Sequence, residues 1–371
     1  MRVRVAIIGA GFAGAATAYH LSRCGGEGIV VLEREAVCGL HASGRNAALC
    51  RSVADDPHWT ALTVRGAALL RNPPADLGDT PLLARGGALL VTSWDATLAS
   101  VLAQAAAFGV PHQLLSRAAL QARWPLLAEL PAQGVVSFPD DGVIDVHALL
   151  QGYLAAARAA GVNVVTGAEV VGLARAGAGM RVDFRGGTLE ADCVVIAAGA
   201  WAGPLGTLAG ADVPAFATLR RHLFVTERDA RVPVGGSASL PWVWQLDEGF
   251  YVRPESGGWL MSACDQDAHP PVAPVVAPGA LEHLAERVAT LAPALLERGV
   301  AHSWACLRTF TPEQRPLLGW DHKVHPLFWV AGLGGHGATA SGAVGALAAE
   351  LIMARLAGTL DDDQGGSPRP D

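Results

Sequence analysis

Apolar and polar positions change period several times along the chain, and each change marks an element. Residues 3–8 form a short apolar run, glycines follow, and an alanine-rich stretch with helical spacing then runs to Leu21. A second apolar run at 29–32 closes a strand, helix, strand unit of about thirty residues, the length of a dinucleotide-binding βαβ. Between about 80 and 135 the texture changes: GGALLVTS reads as a strand, and SRAALQARWPLLAEL as a helix ended by proline. The amphipathic stretch 145–160 predicts a helix, and 162–165 and 191–197 predict strands.

From about 213 to 312 the residues alternate as antiparallel strands do, in RRHLFVTE, WVWQLD, GFYVRP and GWLMSA, with turn residues such as PESGG between them. The segment FWVAGLGGHGATASGAVGALAAELIMARLAG returns to strand, glycine turn and helix. The pattern is α/β, α+β overall, and predicts a Rossmann-type nucleotide domain interleaved with an antiparallel-sheet substrate domain. Residues 1–80, 140–210 and 313–360 are assigned to the first and 81–139 and 211–312 to the second. The tail 361–371, DDDQGGSPRPD, is expected to be disordered.

Composition narrows the partners. A net charge of −7, with no basic run, argues against nucleic acid and for small molecules. Only 16% of residues are charged and mean hydropathy is +0.31, so an apolar surface and at most peripheral membrane contact are expected. No window supplies the roughly 18 uninterrupted apolar residues of a spanning helix. The opening imitates a signal peptide without a convincing cleavage site, and the chain is read as cytoplasmic, monomeric or homodimeric. Six cysteines without CxxC or metal spacing are expected to be reduced thiols, and no metal site is predicted.

Gly9-Ala10-Gly11-Phe12-Ala13-Gly14 stands between strand and helix, where glycines give a tight turn and close approach to a pyrophosphate. Glu33 follows at the end of the second strand, placed to accept both hydroxyls of an adenosine ribose. An acid there selects FAD or NAD over NADP.

The segment LEREAVCGLHASGRNAALC resembles the stretch by which FAD-dependent amino acid oxidoreductases of the D-amino acid oxidase superfamily hold pyrophosphate and ribityl chain. The likeness continues through VVTGAEVVGL, CVVIAAGAWAG, LRTFTPEQRPLLG and GLGGHGATAS, and so covers nearly the whole chain. It implies FAD held by Gly9, Gly11, Ala13, Gly14, Glu33 and Arg34, and by the loop Ala42, Ser43, Gly44, Arg45, Asn46, Ala47, Ala48 and Leu49. It adds Val170 at the adenine, Ala198, Gly199 and Trp201 under the dinucleotide, and Gly334, Gly335, His336, Gly337, Ala338 and Thr339 at the isoalloxazine. A helix opening after Gly337 would aim its positive end at the flavin.

By the same resemblance Arg308 and Tyr251 clamp a substrate carboxylate, Arg221 is a third candidate, and His336 touches the flavin. The implied reaction is hydride transfer from the C–N bond of an amino acid or amine to flavin N5, the cofactor carrying the chemistry. Electrons would leave to a quinone, another carrier or O2. Sarcosine and glycine oxidases are related members. GLHASGRNAAL, RNPPADLGDTPLL, GFYVRP and AGLGGHG are most similar to FAD-dependent D-arginine dehydrogenases, but Ala88 stands where an acid would meet a guanidinium and Leu49 where a histidine is expected. The expected substrate is therefore a neutral or apolar D-amino acid rather than D-arginine. A cyclic or N-methylated amine in a tailoring step and a non-catalytic flavin-binding subunit are the alternatives.

Three finer expectations follow from the resemblance. Met261 is expected near the place where fast oxidases of this group carry a lysine, and Lys323 is the sole lysine, which favours a dehydrogenase. Cys306 has the spacing of a flavin thioether, although a small buried thiol beside a non-covalent FAD is the preferred reading. Trp242, Trp244, Trp259 and Phe250 are open between substrate wall and core.

Overall fold

The computed structural model describes residues 1–125, 130, 133–232 and 240–358. Residues 126–129 of the predicted 116–130 helix and the tail 361–371 lie outside the described residues; the first part of that helix forms as Arg117–Arg123, capped by Ser116.

The opening strand Arg2–Ile8 sits at the centre of an eight-stranded sheet. It pairs in parallel with Ile29–Leu32 on one side and Gly187–Ile196 on the other, Ile7 standing opposite both Val31 and Val195. Asn163–Val165 and Leu327–Ala331 extend the parallel core. Its inner strands are mostly buried, with Asn163–Val165 at the more open edge, because helices cover one face and a meander of Val170–Ala176, Gly179–Phe184 and Gly187–Ile196 closes part of the other. Hence the uninterrupted apolar runs at these strands.

The last helix, Gly337–Leu356, is the one described helix long and apolar enough to cross a membrane by length and composition. Here it packs between the first helix, Phe12–Arg23, and the helix Pro57–Arg71. A Cβ at Gly345 would lie 2.6 Å from the backbone of Ala16, so the two helices touch along their small residues. Its apolarity is that of a core element in contact on two sides.

A nine-stranded sheet takes Ala88–Thr92, Gln113–Leu115, Gly134–Phe138 and the strands between 217 and 310. Ala217–Thr226 and Val300–Phe310 run antiparallel over nearly their whole lengths, with Arg221 opposite Cys306 and Leu219 opposite Arg308. Ala280–Leu291 covers one face of this sheet, over Leu89, Val91 and Val243, and Asp95–Ala107 covers part of the opposite face, over Ala88, Leu90 and Val136. The rest of that opposite face turns toward the nucleotide-type sheet, and the space between them is the principal cleft.

Parity and helix cover together settle the aromatic positions. Phe250 and Trp259 are buried on the face under Ala280–Leu291, Trp242 shares the face of Trp244 but lies under Asp95–Ala107, and of the four only Trp244 reaches the cleft. Met261 also points away from it, packed with Phe224 and Val252, whereas its neighbour Leu260 lies with Tyr251 and Cys306. The expected position of Met261 over the flavin is thus corrected: in a strand, one residue of offset exchanges the two faces.

Candidate active site

The cleft encloses about 560 Å³, within the range of cofactor and ligand sites. At one end the first strand stops at Gly9, whose φ of +104° and a Cβ position 2.6 Å from the Ala197 carbonyl oxygen both require glycine. Gly14 serves the turn differently: a Cβ there would fall 1.9 Å from the Gly9 carbonyl oxygen. Gly11 offers no side chain to cap the helix it opens, and Ser43, from a loop thirty residues on, supplies the missing acceptor to the Phe12 N–H at 2.9 Å.

Glu33 accepts from the N–H of Ala10 at 2.8 Å and of Glu35 at 2.9 Å, which fixes its carboxylate at the strand end facing the turn. Beside it the Arg34 guanidinium lies 4.2 Å from the Trp201 ring centroid and the His41 ring 4.6 Å from it. Glu35 joins Arg34 to His41, and those two partners hold its carboxyl below the usual range. Val170, Ala198 and Gly199 complete this end.

The loop 42–49 crosses the middle. Asn46 donates to the Ser43 carbonyl at 2.8 Å and accepts from the Ala48 N–H at 2.7 Å, which supports Ala48 at φ +60°. Arg253, Trp304 and Thr339 donate to the carbonyls of Ala47, Arg45 and Leu49 in turn. The loop is therefore tied to the nine-stranded sheet and to the last helix. Of the residues expected here, all line the cleft except Gly14 and Gly44; these two are packing glycines, Gly44 against the Gly39 carbonyl.

At the far end, Cys306 and Arg308 project from one face of Val300–Phe310, and Arg221 and Tyr251 join them on the wall. Arg221 is held by the carbonyls of Asp265 (3.0 Å) and Cys264 (2.9 Å), which leaves its Nη1 buried without a partner. Burial, and then the Arg308 charge, push its pKa down. The Tyr251 hydroxyl is likewise buried and unpartnered; burial raises its pKa against the pull of both arginines. Among the described residues no carboxylate pairs with Arg308. Burial raises the Cys306 thiol too.

His336 stands at the N-cap of the last helix, its ring 4.6 Å from that of Trp59. Burial, with Arg51 nearby, lowers its pKa to about 3, so it is a neutral imidazole over the ordinary pH range.

Two residues of this wall, Arg51 and Asp55, escaped the sequence reading, and Trp244, left open there between wall and core, stands on the wall. Arg51 lies 4.8 Å over the Trp244 ring, and Trp244 meets Tyr251 edge-on at 5.3 Å. The one signal was an arginine set in the apolar run directly after the loop, ALCRSVA. Ala88, by contrast, is buried in the cluster with Trp242.

The glycine turn, the fixed acid at 33 and the helix N-terminus at Gly337 form a donor and acceptor set that fits FAD along the whole cleft. Comparison with known proteins agrees. The family model described as FAD dependent oxidoreductase (DAO) matches residues 4–351. The chain is 27% identical over 372 residues to the formaldehyde-forming 4-methylaminobutanoate oxidase of Paenarthrobacter nicotinovorans, across 96% of this chain and 44% of that protein, so it spans less than half of that relative's length. Among solved structures it superposes on L-proline dehydrogenase from P. horikoshii with a TM-score of 0.85 at 22% identity, over 95% of this chain and 93% of the other. For glycine oxidase from Geobacillus kaustophilus the values are 0.79 and 25%, over 95% of each chain.

Proposed function

The chain belongs to the FAD dependent oxidoreductase family, its cofactor is FAD, and from that premise we propose that it oxidises the C–N bond of an amino acid whose carboxylate is held by Arg308, Arg221 and Tyr251. The observation that carries this is a pair of like-charged guanidinium groups beside an unpartnered hydroxyl at one end of the cleft, with no acid between them. Buried donors of this kind are costly unless a ligand satisfies them, and a planar carboxylate matches the arginine fork.

When bound, FAD supplies the hydride acceptor at N5. The chain's own task is to orient the substrate by its carboxylate and exclude water. His336, neutral, and Tyr251, held protonated by burial, leave no strong base at this wall, in keeping with an amine that arrives uncharged. The N-terminus of Gly337–Leu356 directs free N–H groups to the same end, where they favour negative charge.

The resemblance expects an acid for a guanidinium at Ala88, which is buried outside the cleft lining, so the first reading, a D-amino acid other than D-arginine, rests on the resemblance. A secondary or cyclic amine is the second, supported by the N-methylated substrate named for one relative and the proline named for one structural neighbour. The sole lysine, Lys323, pairs with Asp212 at the surface, far in function from the cleft wall, and this supports a dehydrogenase that passes electrons to a quinone or another carrier. The six free thiols support a cytoplasmic setting. We divide the chain as above, residues 1–80, 140–210 and 313–360 binding FAD and 81–139 and 211–312 the substrate.

The test is the visible spectrum of the anaerobic protein titrated with D-, L- and N-methyl amino acids. Flavin bands that bleach with one class support the reading. A flavin spectrum that no amine bleaches would overturn it in favour of a non-catalytic flavin-binding subunit.

A further inference from the structure

We infer that Arg51 is a second anion-binding group and that the substrate is an amino acid carrying a second carboxylate. This rests on the carboxylate clamp proposed above and replaces the neutral side chain expected from Ala88. Arg253 shows how a structural arginine of this fold is satisfied: its Nε and Nη1 donate to carbonyls and its Nη2 meets Glu255. Arg51 is as deeply buried, its side chain 6% exposed, yet its guanidinium makes one hydrogen bond, from Nη2 to Asp55 at 2.6 Å, and its Nε has no partner. Asp55 is 79% exposed and lines the cleft. Arg51 is therefore bound on the protein side by a carboxylate that solvent or a ligand can reach, which is the arrangement of a site rather than of a core.

The position of Arg51 points the same way. Arg51 lies against Trp244, and Trp244 lies against Tyr251. One indole thus separates Arg51 from the clamp, a span suited to a short unbranched chain laid along the ring with an acid at each end. Among the described residues that line this end, Arg51, Arg221 and Arg308 are accompanied by one acid, Asp55, so an excess of positive charge meets the dianion.

Anaerobic calorimetric titration of the oxidised, FAD-loaded protein with three ligands of one length, each checked by the flavin spectrum to leave the cofactor oxidised, tests this. Glutarate should bind about 10- to 100-fold more tightly than glutaramate, the range for hydrogen bonds to a charged group, and 5-aminovalerate least. Arg51→Gln should erase the difference between glutarate and glutaramate, Arg51→Lys should restore part of it, and Asp55→Asn should enlarge it. If Arg51→Gln loses its flavin, the wild-type ranking and Asp55→Asn decide. Glutaramate or 5-aminovalerate binding as tightly as glutarate, or a preference that survives Arg51→Gln, overturns the inference while the clamp stands. Binding of none of the three overturns the clamp and this inference together.

Discussion

Arg221 and Arg308 reach one cleft from neighbouring antiparallel strands, two residues out of register, and burial and the Arg308 charge both lower the pKa of Arg221. Two backbone carbonyls fix Arg221, whereas Arg308 is free to meet a ligand. Arg308→Met should therefore lower kcat/KM for anaerobic flavin reduction by about 30- to 1000-fold, the cost of leaving a buried carboxylate unpaired. Arg308→Lys should recover only part, because a point charge does not reproduce the fork. An Arg308→Met protein with unchanged kinetics would remove the clamp from consideration.

Asp141 gives a pH dependence with a definite sign. It is buried, accepts from the N–H and hydroxyl of Ser52, and burial raises its pKa to about 6. A carboxyl raised in the folded state contributes stability that is full below its unfolded value, near 3.8, and is lost as pH rises through 6. Relative to Asp141→Asn, the native protein should gain up to about 3 kcal/mol between pH 7 and pH 4. Paired denaturant melts across that range measure it, and parallel curves would refute it.

At the first turn, Gly14→Ala puts a methyl group 1.9 Å from the Gly9 carbonyl oxygen. The helix must move off the strand, at a cost of about 1–3 kcal/mol, and the pyrophosphate cradle opens. The variant should purify with little flavin and a lowered Tm. Full flavin content at normal Tm would show that the turn tolerates the shift.

Cys306 faces the cleft beside Arg308, but burial keeps it a thiol rather than the thiolate that a flavin thioether requires. Acid precipitation of the holoprotein should leave all the yellow in the supernatant, and Cys306→Ala should retain its flavin. A coloured pellet that Cys306→Ala abolishes would establish the covalent link instead.

With Lys323 committed to Asp212 at the surface, no lysine lines the cleft. Substrate-reduced protein should reoxidise slowly in air and quickly with a soluble quinone. Stopped-flow traces in the two acceptors give the comparison, and air reoxidation as fast as quinone would make it an oxidase.

The sequence by itself determined whatever depends on neighbours in the chain. The Gly9–Gly14 turn, the acid at 33, the loop 42–49 and the Gly334–Thr339 turn were legible because each is a contiguous run whose glycines, caps and period encode its own geometry. What decided the substrate end was pairing between distant strands. Arg221, Tyr251 and Arg308 were foreseen by resemblance, yet their convergence, the inward face of Trp244 and the outward face of Met261 depend on register, which a single residue of offset inverts. Arg51 was invisible for the same reason: it meets Trp244 only after some two hundred residues have folded back onto the loop that precedes it.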